Sequence, residues 1–194
     1  MASINDIGID LGTSQILIYM KGKGIILREP TVVAIDRDTR NVLAYGDEAH
    51  RMIGRTPGSI LAIRPLRDGT ISDFELVSFM LKSFVTKAIG KHLFARPHAV
   101  LALPTSVNEM EKRSLISTMF NAGMHRTQLF NRSLAAALGA GLPMDEAYGA
   151  MIVDISAGVT DIAVLSFGKK LRDGRLAAQS FFLRKSITNL PFHG

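Results

Sequence analysis

A short turn near the amino terminus is the part of the sequence best suited to chemistry. Asp10 ends an apolar run, and Gly12, Thr13, Ser14 and Gln15 follow it before a second apolar run begins. Glycine permits a close backbone approach that a Cβ would block. The three residues after it offer hydroxyl, amide and main-chain N–H donors. Because successive donors of this kind form an anion-binding concavity, the turn predicts a phosphate site.

The carboxylate of Asp10 would lie beside this concavity. A carboxylate does not bind phosphate, so its position makes sense if a hard cation lies between the two groups. Mg²⁺ that keeps much of its water fits such a place. The alternative from the residues alone is a surface hairpin in which Gly-Thr-Ser merely turns the chain, because short motifs also match by chance.

A second stretch echoes the first. The sequence MIVDISAGVTDIAVLSFG at 151–168 repeats the order of IGIDLGTSQILIYMKGKG at 7–24: an apolar strand ending in Asp, a turn, and a second apolar strand. When Asp10 is aligned with Asp154, the apolar runs on both sides of the two residues also align. The sequence therefore predicts two phosphate hairpins that face each other.

The composition fits a globular protein of one or two domains. The chain has 194 residues, 47% hydrophobic and 21% charged, which is enough for a proper core. The absence of cysteine excludes a disulfide framework and a thiolate metal site. No apolar run approaches the roughly 20 residues that span a bilayer, and the first residues have no signal-peptide pattern. We therefore expect a cytosolic protein or one peripheral to a membrane.

The net charge of +6 belongs mostly to the carboxyl-terminal segment. Residues 169–194 carry six basic side chains and one acidic one, whereas the other 168 residues carry 17 basic and 16 acidic ones. The nearly neutral body has no basic residues interleaved with aromatic ones that would stack on bases. Nucleic acid is therefore not expected as a partner.

Strand and helix patterns alternate along the chain. Short strands are predicted at 24–29, 31–36, 41–45, 60–63, 98–103 and 127–130. Capping-box patterns at Ser72 with Glu75 and at Ser106 with Glu109 predict two helix starts, and Asn131 is predicted to cap a third, small-residue helix. An apolar stripe at helical spacing follows the first box. This order favours an α/β architecture with a mixed sheet.

With these patterns in place, the chain resembles the MreB family, bacterial actin homologues that form filaments at the membrane and guide cell-wall growth. The resemblance rests on the first hairpin with its continuation to IILREPTVVAID, and on GRTPGSILAIRPLRDGTISDF, LFARPHAVLALP and AAALGAGLP. It implies an actin-like ATPase (ribonuclease H-like) fold, in which two lobes clamp ATP and Mg²⁺ between phosphate hairpins.

The resemblance also implies a domain plan. Residues 1–30 and 75–143 would form the core of the first lobe, residues 31–74 a small inserted subdomain, and residues 144–168 the start of a second lobe that is largely missing. From residue 169 onward the sequence loses the family pattern and becomes basic. We expect this tail not to be native sequence of the family, as would follow from a frameshift.

Ten residues would contact the nucleotide by this resemblance. They are Asp10, Gly12, Thr13, Ser14 and Gln15 in the first loop, and Asp154, Ser156, Ala157, Gly158 and Thr160 in the second. Asp10 and Asp154 would hold Mg²⁺ through water. The family carries DIGGGTT where this chain has DISAGVT, and two glycines are lost. If those glycines sat at positive φ, each replacement costs on the order of 1 kcal/mol and fills space needed by phosphate, which weakens nucleotide binding.

A second departure concerns hydrolysis. Where the family has Glu-Glu-Pro, with the acid next to proline orienting the attacking water, this chain has Asn131, Arg132 and Ser133. A guanidinium accepts no proton, so it does not replace that carboxylate. We expect slow or absent hydrolysis and assign no catalytic residue. The alternative is that Arg132 points to solvent and another group orients the attacking water.

A membrane contact is predicted in the loop at 91–97. Leu93 and Phe94 lie between basic residues, which suits an anionic interface, and the similar loop of the family inserts into the membrane. Alternatively, the two side chains cover the core at a helix end.

The sequence therefore favours an MreB-like, ATP-binding, filament-forming cell shape protein at the inner face of the membrane. Its expected partners are copies of itself, the membrane surface and the cell-wall elongation machinery. The alternative is a non-hydrolysing remnant or regulatory paralogue that binds such filaments without ATP turnover.

Overall fold

The computed structural model describes residues 6–55, 58–67, 70–90, 97–103, 107–142, 148–156, 159–167 and 178–185. The strands in these ranges are β1 (Ile7–Leu11), β2 (Gln15–Met20), β3 (Gly24–Pro30), β4 (Val33–Asp36), β5 (Val42–Tyr45), β6 (Ile60–Ile63), β7 (Leu66–Arg67), β8 (Thr70–Ile71), β9 (His98–Leu103), β10 (Arg126–Asn131), β11 (Tyr148–Ser156), β12 (Val159–Phe167) and β13 (Ala178–Lys185). The helices are α1 (Asp47–Met52), α2 (Phe74–Ile89), α3 (Glu109–Asn121) and α4 (Arg132–Gly139). Every predicted strand has a counterpart in this set.

A five-stranded mixed sheet forms the centre of the fold, with strand order β10-β9-β1-β2-β3. Strands β1, β2 and β3 pair antiparallel as consecutive hairpins, whereas β9 and β10 pair parallel beside β1. Parallel neighbours need a crossover, and α3 supplies it between β9 and β10. The predicted α/β class with a mixed sheet is confirmed.

Helices α2 and α3 cover one face of this sheet. Alternate residues of β1, namely Ile7, Ile9 and Leu11, join one buried cluster with the apolar stripe of α2. The stripe consists of Leu76, Val77, Met80, Leu81, Phe84, Val85 and Ile89. Since these positions recur at helical spacing, the predicted amphipathic helix is confirmed.

The two predicted capping boxes were each placed on the wrong residue. Asp73, one residue after Ser72, caps α2 by accepting a hydrogen bond from the Leu76 N–H. The Ser72 hydroxyl instead donates to the Pro65 carbonyl oxygen. At α3 the box is formed by Asn108 and Glu111, because that helix begins at Glu109. The predicted cap at Asn131 is confirmed, since its side chain accepts from the Leu134 N–H.

Besides the two-stranded pair β7–β8, two three-stranded sheets flank the centre. One has strand order β5-β4-β6 and packs its small buried residues against α1. The other has strand order β11-β12-β13, so residues 178–185 of the basic tail add a third strand to the second hairpin. Helix α4 packs on this sheet through Ala137, which is buried with Ala163 and Leu165. Within the described ranges no helix is long and apolar enough to cross a membrane.

A buried carboxylate connects the central sheet to its surroundings. Glu29 on β3 is only 7% exposed. One of its oxygens accepts from the Asp47 N–H at 2.8 Å, and the other accepts from the Lys87 ammonium of α2. Gly46, at φ 66°, lets the chain pass this carboxylate, which a Cβ at that position would strike. Because a buried charge is costly without partners, these contacts fix α1 and α2 against β3.

The contact between Lys87 and Glu29 predicts a pH-dependent loss of stability in Lys87→Met. The carboxylate would lose a charged donor, and we expect the free energy of unfolding to fall by about 1 kcal/mol, discounted because Lys87 is half exposed. The hydrogen bond from Glu29 raises the pKa of Lys87 above its ordinary value of 10.5. A raised pKa stabilises the fold below pH 10.5, and this contribution disappears as pH rises through the folded pKa.

Urea unfolding of the parent and the variant, measured from neutral pH to above pH 10.5, tests this prediction. Lys82→Met, at an exposed position of the same helix, is the matched control and should change stability little. Equal losses in the two variants would show that the contact with Glu29 contributes nothing.

Candidate functional site

Asp10 lies on the face of the central sheet that α2 and α3 leave uncovered. Its neighbours Ile9 and Leu11 point into the core, so Asp10 points the other way, as the alternation of a strand requires. On that side Asp10 borders a groove of about 730 Å³, which is lined mainly by apolar residues such as Leu17, Val100, Phe130 and Leu138. The side chain of Asp10 is 48% exposed.

The predicted phosphate turn joins β1 to β2. The Gly12 N–H donates to the Gln15 carbonyl at 3.1 Å, which closes residues 12–15 into a tight hairpin turn. A Cβ on Gly12 would lie 2.6 Å from that carbonyl oxygen, so only glycine fits there. Gln15 is exposed, and Thr13 and Ser14 are partly exposed at the same edge of the sheet. The structure thus brings all four predicted loop residues to the end of the strand that carries Asp10.

Thr31 supports this turn from behind, a role that the sequence analysis missed. Its hydroxyl donates to the Gly12 carbonyl at 2.8 Å, and its N–H donates to the Ser14 carbonyl at 3.0 Å. The residue is fully buried. No sequence pattern around Thr31 predicts these contacts with the turn, because they depend on how β3 pairs with β2.

Arg132, the first residue of α4, contacts the end of β1. Its Nε atom lies 3.2 Å from Asp10 Oδ1, and its Nη2 atom donates to the Leu11 carbonyl oxygen. Only 11% of the Arg132 side chain is exposed, so the alternative in which it points to solvent is wrong. Within the described part of the chain, Nε and Oδ1 make no hydrogen bond, so their contact is an ion pair alone.

The second predicted loop is described in part. Asp154, Ser156 and Thr160 lie on the β11–β12 hairpin, where Ser156 pairs with Val159 and Ile155 pairs with Thr160. Asp154 lies directly opposite Asp161, on the face of β11 that Ala150 and Ile152 pack toward α4. Ala157 and Gly158 lie outside the described residues, as do Leu93 and Phe94 of the predicted membrane loop.

The two carboxylates predicted to hold Mg²⁺ differ in how they fit a cation. Asp10 already faces a guanidinium at one of its oxygens, so it fits a second cation less well. Asp154 fits better, because Asp161 across the hairpin adds a second carboxylate, and oxygen donors are what Mg²⁺ prefers. Among the described residues no group of three or more His, Cys, Asp or Glu could hold a metal ion. An ion at Asp154 would therefore take its other ligands from water or phosphate. The register of the hairpin reveals Asp161, which no sequence motif indicates.

A protein-family model matches most of this chain. A model described as MreB/Mbl protein matches residues 4–176, which extends eight residues past the predicted end of the resemblance. The cell shape-determining protein Mbl of Bacillus subtilis is 48% identical over 163 residues, covering 84% of this chain and 49% of that protein. The cell shape-determining protein MreB of Escherichia coli is 45% identical over 168 residues, covering 84% and 48%. The chain spans about half the length of these relatives.

Comparison with solved structures gives the same answer for the fold. MreB 5 of Spiroplasma citri bound to AMPPNP superposes with a TM-score of 0.75 at 30% identity, covering 93% of this chain and 53% of that one. The same protein bound to ADP has a TM-score of 0.75. A subunit of the MamK double helical filament, at 22% identity and a TM-score of 0.68, shares the fold alone. The predicted actin-like fold is confirmed.

The close approach at Gly12 predicts that Gly12→Ala destabilises the chain. The added Cβ must push the Gln15 carbonyl away, and we expect the free energy of unfolding to fall by roughly 1–3 kcal/mol. Gly8→Ala, on the same strand, is the control, because a Cβ there would have its nearest neighbour, the Tyr19 Cβ, at 4.0 Å. Urea unfolding of both variants measures the difference. Similar losses at the two positions would contradict the prediction.

Proposed function

The chain belongs to the MreB/Mbl family, and on that premise we propose that it is a cell shape-determining cytoskeletal protein that binds ATP and forms filaments. One observation carries the nucleotide part of this proposal. The β1–β2 turn places main-chain and hydroxyl donors together at one edge of the sheet, closed by the Gly12 contact and supported by Thr31. Such a concavity suits phosphate oxygens.

The nucleotide would contact both hairpins. We assign phosphate contacts to Thr13, Ser14 and Gln15, and to the second hairpin at Ser156, Ala157, Gly158 and Thr160. Gly12, whose N–H donates to the Gln15 carbonyl, would line the site by leaving room for the phosphate beside the backbone. One relative of the same fold, MreB 5 of Spiroplasma citri, is bound to AMPPNP in one structure and to ADP in another, which supports a nucleotide as the ligand. Mg²⁺ belongs to this proposal through Asp154, whose carboxylate would hold it by way of water.

ATP hydrolysis is not part of the proposal. Arg132 occupies the position at which the resemblance places a water-orienting glutamate, and its guanidinium lies against Asp10 and not in solvent. A cation at this place accepts no proton from water. This observation favours a filament protein that binds nucleotide with little turnover.

Assembly and location complete the proposal. The filament of MamK supports copies of this chain as partners, because the two proteins share a fold. We place the protein at the inner face of the cytoplasmic membrane, next to the cell-wall elongation machinery, by analogy with the cell shape-determining relatives. Leu93 and Phe94 would make the membrane contact.

Ser14→Asp tests the nucleotide site. A carboxylate in the turn would repel the phosphates, and we expect ATP affinity, measured by calorimetry in Mg²⁺ buffer, to fall at least about ten-fold. Ser117→Asp adds the same charge at an exposed position of α3 and should leave the affinity unchanged. If the parent binds no ATP, or if Ser14→Asp binds it as the parent does, the proposed site is rejected.

The double variant Leu93→Ser/Phe94→Ser tests the membrane contact. Loss of two apolar side chains from an interface should lower the fraction that pellets with anionic vesicles at least about ten-fold. Leu43→Ser/Phe120→Ser removes the same residue types from exposed positions elsewhere and should pellet as the parent does. Equal pelleting of the parent and of the first variant would remove the loop from the proposal.

A further inference from the structure

A largely buried arginine lies where the first hairpin is predicted to use a metal ion. The Arg132 side chain is 11% exposed, and its Nε atom is 3.2 Å from Asp10 Oδ1. A second nitrogen of the same group donates to the Leu11 carbonyl oxygen. The guanidinium is therefore held at two points on the last residues of β1, immediately before the phosphate turn.

This contact compensates the charge of Asp10 within the fold. A guanidinium stays protonated at any workable pH, and exclusion of water strengthens its attraction to the carboxylate. Asp10 Oδ1 is shielded from solvent, so the exposed part of the side chain leaves the other oxygen facing water. That oxygen still accepts a hydrogen bond. It belongs to a neutral pair, however, and has lost most of its attraction for a dication.

We propose that Arg132 is a built-in substitute for the divalent cation at Asp10, so that no metal ion is held at the first hairpin. Admitting a metal there would bring a dication next to the guanidinium, or would require the guanidinium to leave its buried place and its bond to Leu11. The inference rests on the proposed function, because it states which charge a nucleoside triphosphate meets at this turn. That charge is the guanidinium of Arg132. Any metal ion would be bound by Asp154 and the phosphates.

Paramagnetic broadening by Mn²⁺, used as the probe in place of Mg²⁺, tests this directly. In the ¹⁵N-labelled full chain, amide resonances near a bound Mn²⁺ lose intensity. We expect the amides of Gly8, Asp10 and Leu11 to keep their intensity in the parent. In Arg132→Gln, which frees the carboxylate, they should lose it at least about two-fold at the same Mn²⁺ concentration.

Two controls separate charge from fold. Arg126→Gln removes the same charge from an exposed position at the other end of β10 and should behave as the parent does. Asp10→Asn in the parent background should leave the Mn²⁺ profile unchanged, because under this proposal Asp10 holds no metal. If Arg132→Gln loses its native spectrum, this second control still tests whether Asp10 holds a metal ion in the parent.

Two outcomes would overturn the proposal. One is broadening of the hairpin amides in the parent that Asp10→Asn removes. The other is a folded Arg132→Gln with no broadening, which would mean that the arginine is not what excludes the cation. ATP titration of the same samples distinguishes a failure of the nucleotide-site proposal from a failure of the arginine proposal. A parent that excludes Mn²⁺ from the hairpin and binds no ATP rejects the nucleotide site alone. A parent that binds ATP, and whose hairpin amides are broadened by Mn²⁺ before ATP is added, rejects the arginine substitution alone.

Discussion

The fold depends on how one arginine at the start of α4 is accommodated at the end of β1. Arg132 belongs to the parallel side of the central sheet, because it follows β10, and its guanidinium reaches past β9 to Asp10 and Leu11. An arginine that is nearly inaccessible to water needs a counter-charge and acceptors, and β1 offers both. The same contact holds the start of α4 against β1 and places a cation beside the predicted phosphate turn.

Helix α4 in turn connects the two hairpins. Its residues Ala135, Leu138 and Gly139 border the groove on the open face of the central sheet, and Ala137 packs into the sheet that carries Asp154. Small residues let the helix approach the strands closely on both sides. We therefore expect a change in the position of the Arg132 side chain to displace the first hairpin through β1 and the second hairpin through α4.

The β1–β2 turn is held in place partly by contacts from outside it. Gly12 allows the approach of the Gln15 carbonyl, and Thr31 binds the turn from the far end of β3. Glu29, two residues before Thr31, ties the same strand to α1 and α2. A turn held from both sides keeps its donors in one orientation, which lowers the entropy lost when an anion binds.

Local chemistry alone determined much of this protein. The β1–β2 hairpin, the apolar stripe of α2 and the cap at Asn131 follow from residues within one turn or strand, which is why the sequence predicts them and the family resemblance with them. Tertiary structure decided the rest. Ser72 or Asp73 could each cap α2, and the partner available to Ser72 at Pro65 settled the choice. The orientation of Arg132 depended on an acceptor 121 positions away, because only the parallel pairing of β9 with its neighbours brings α4 to the end of β1.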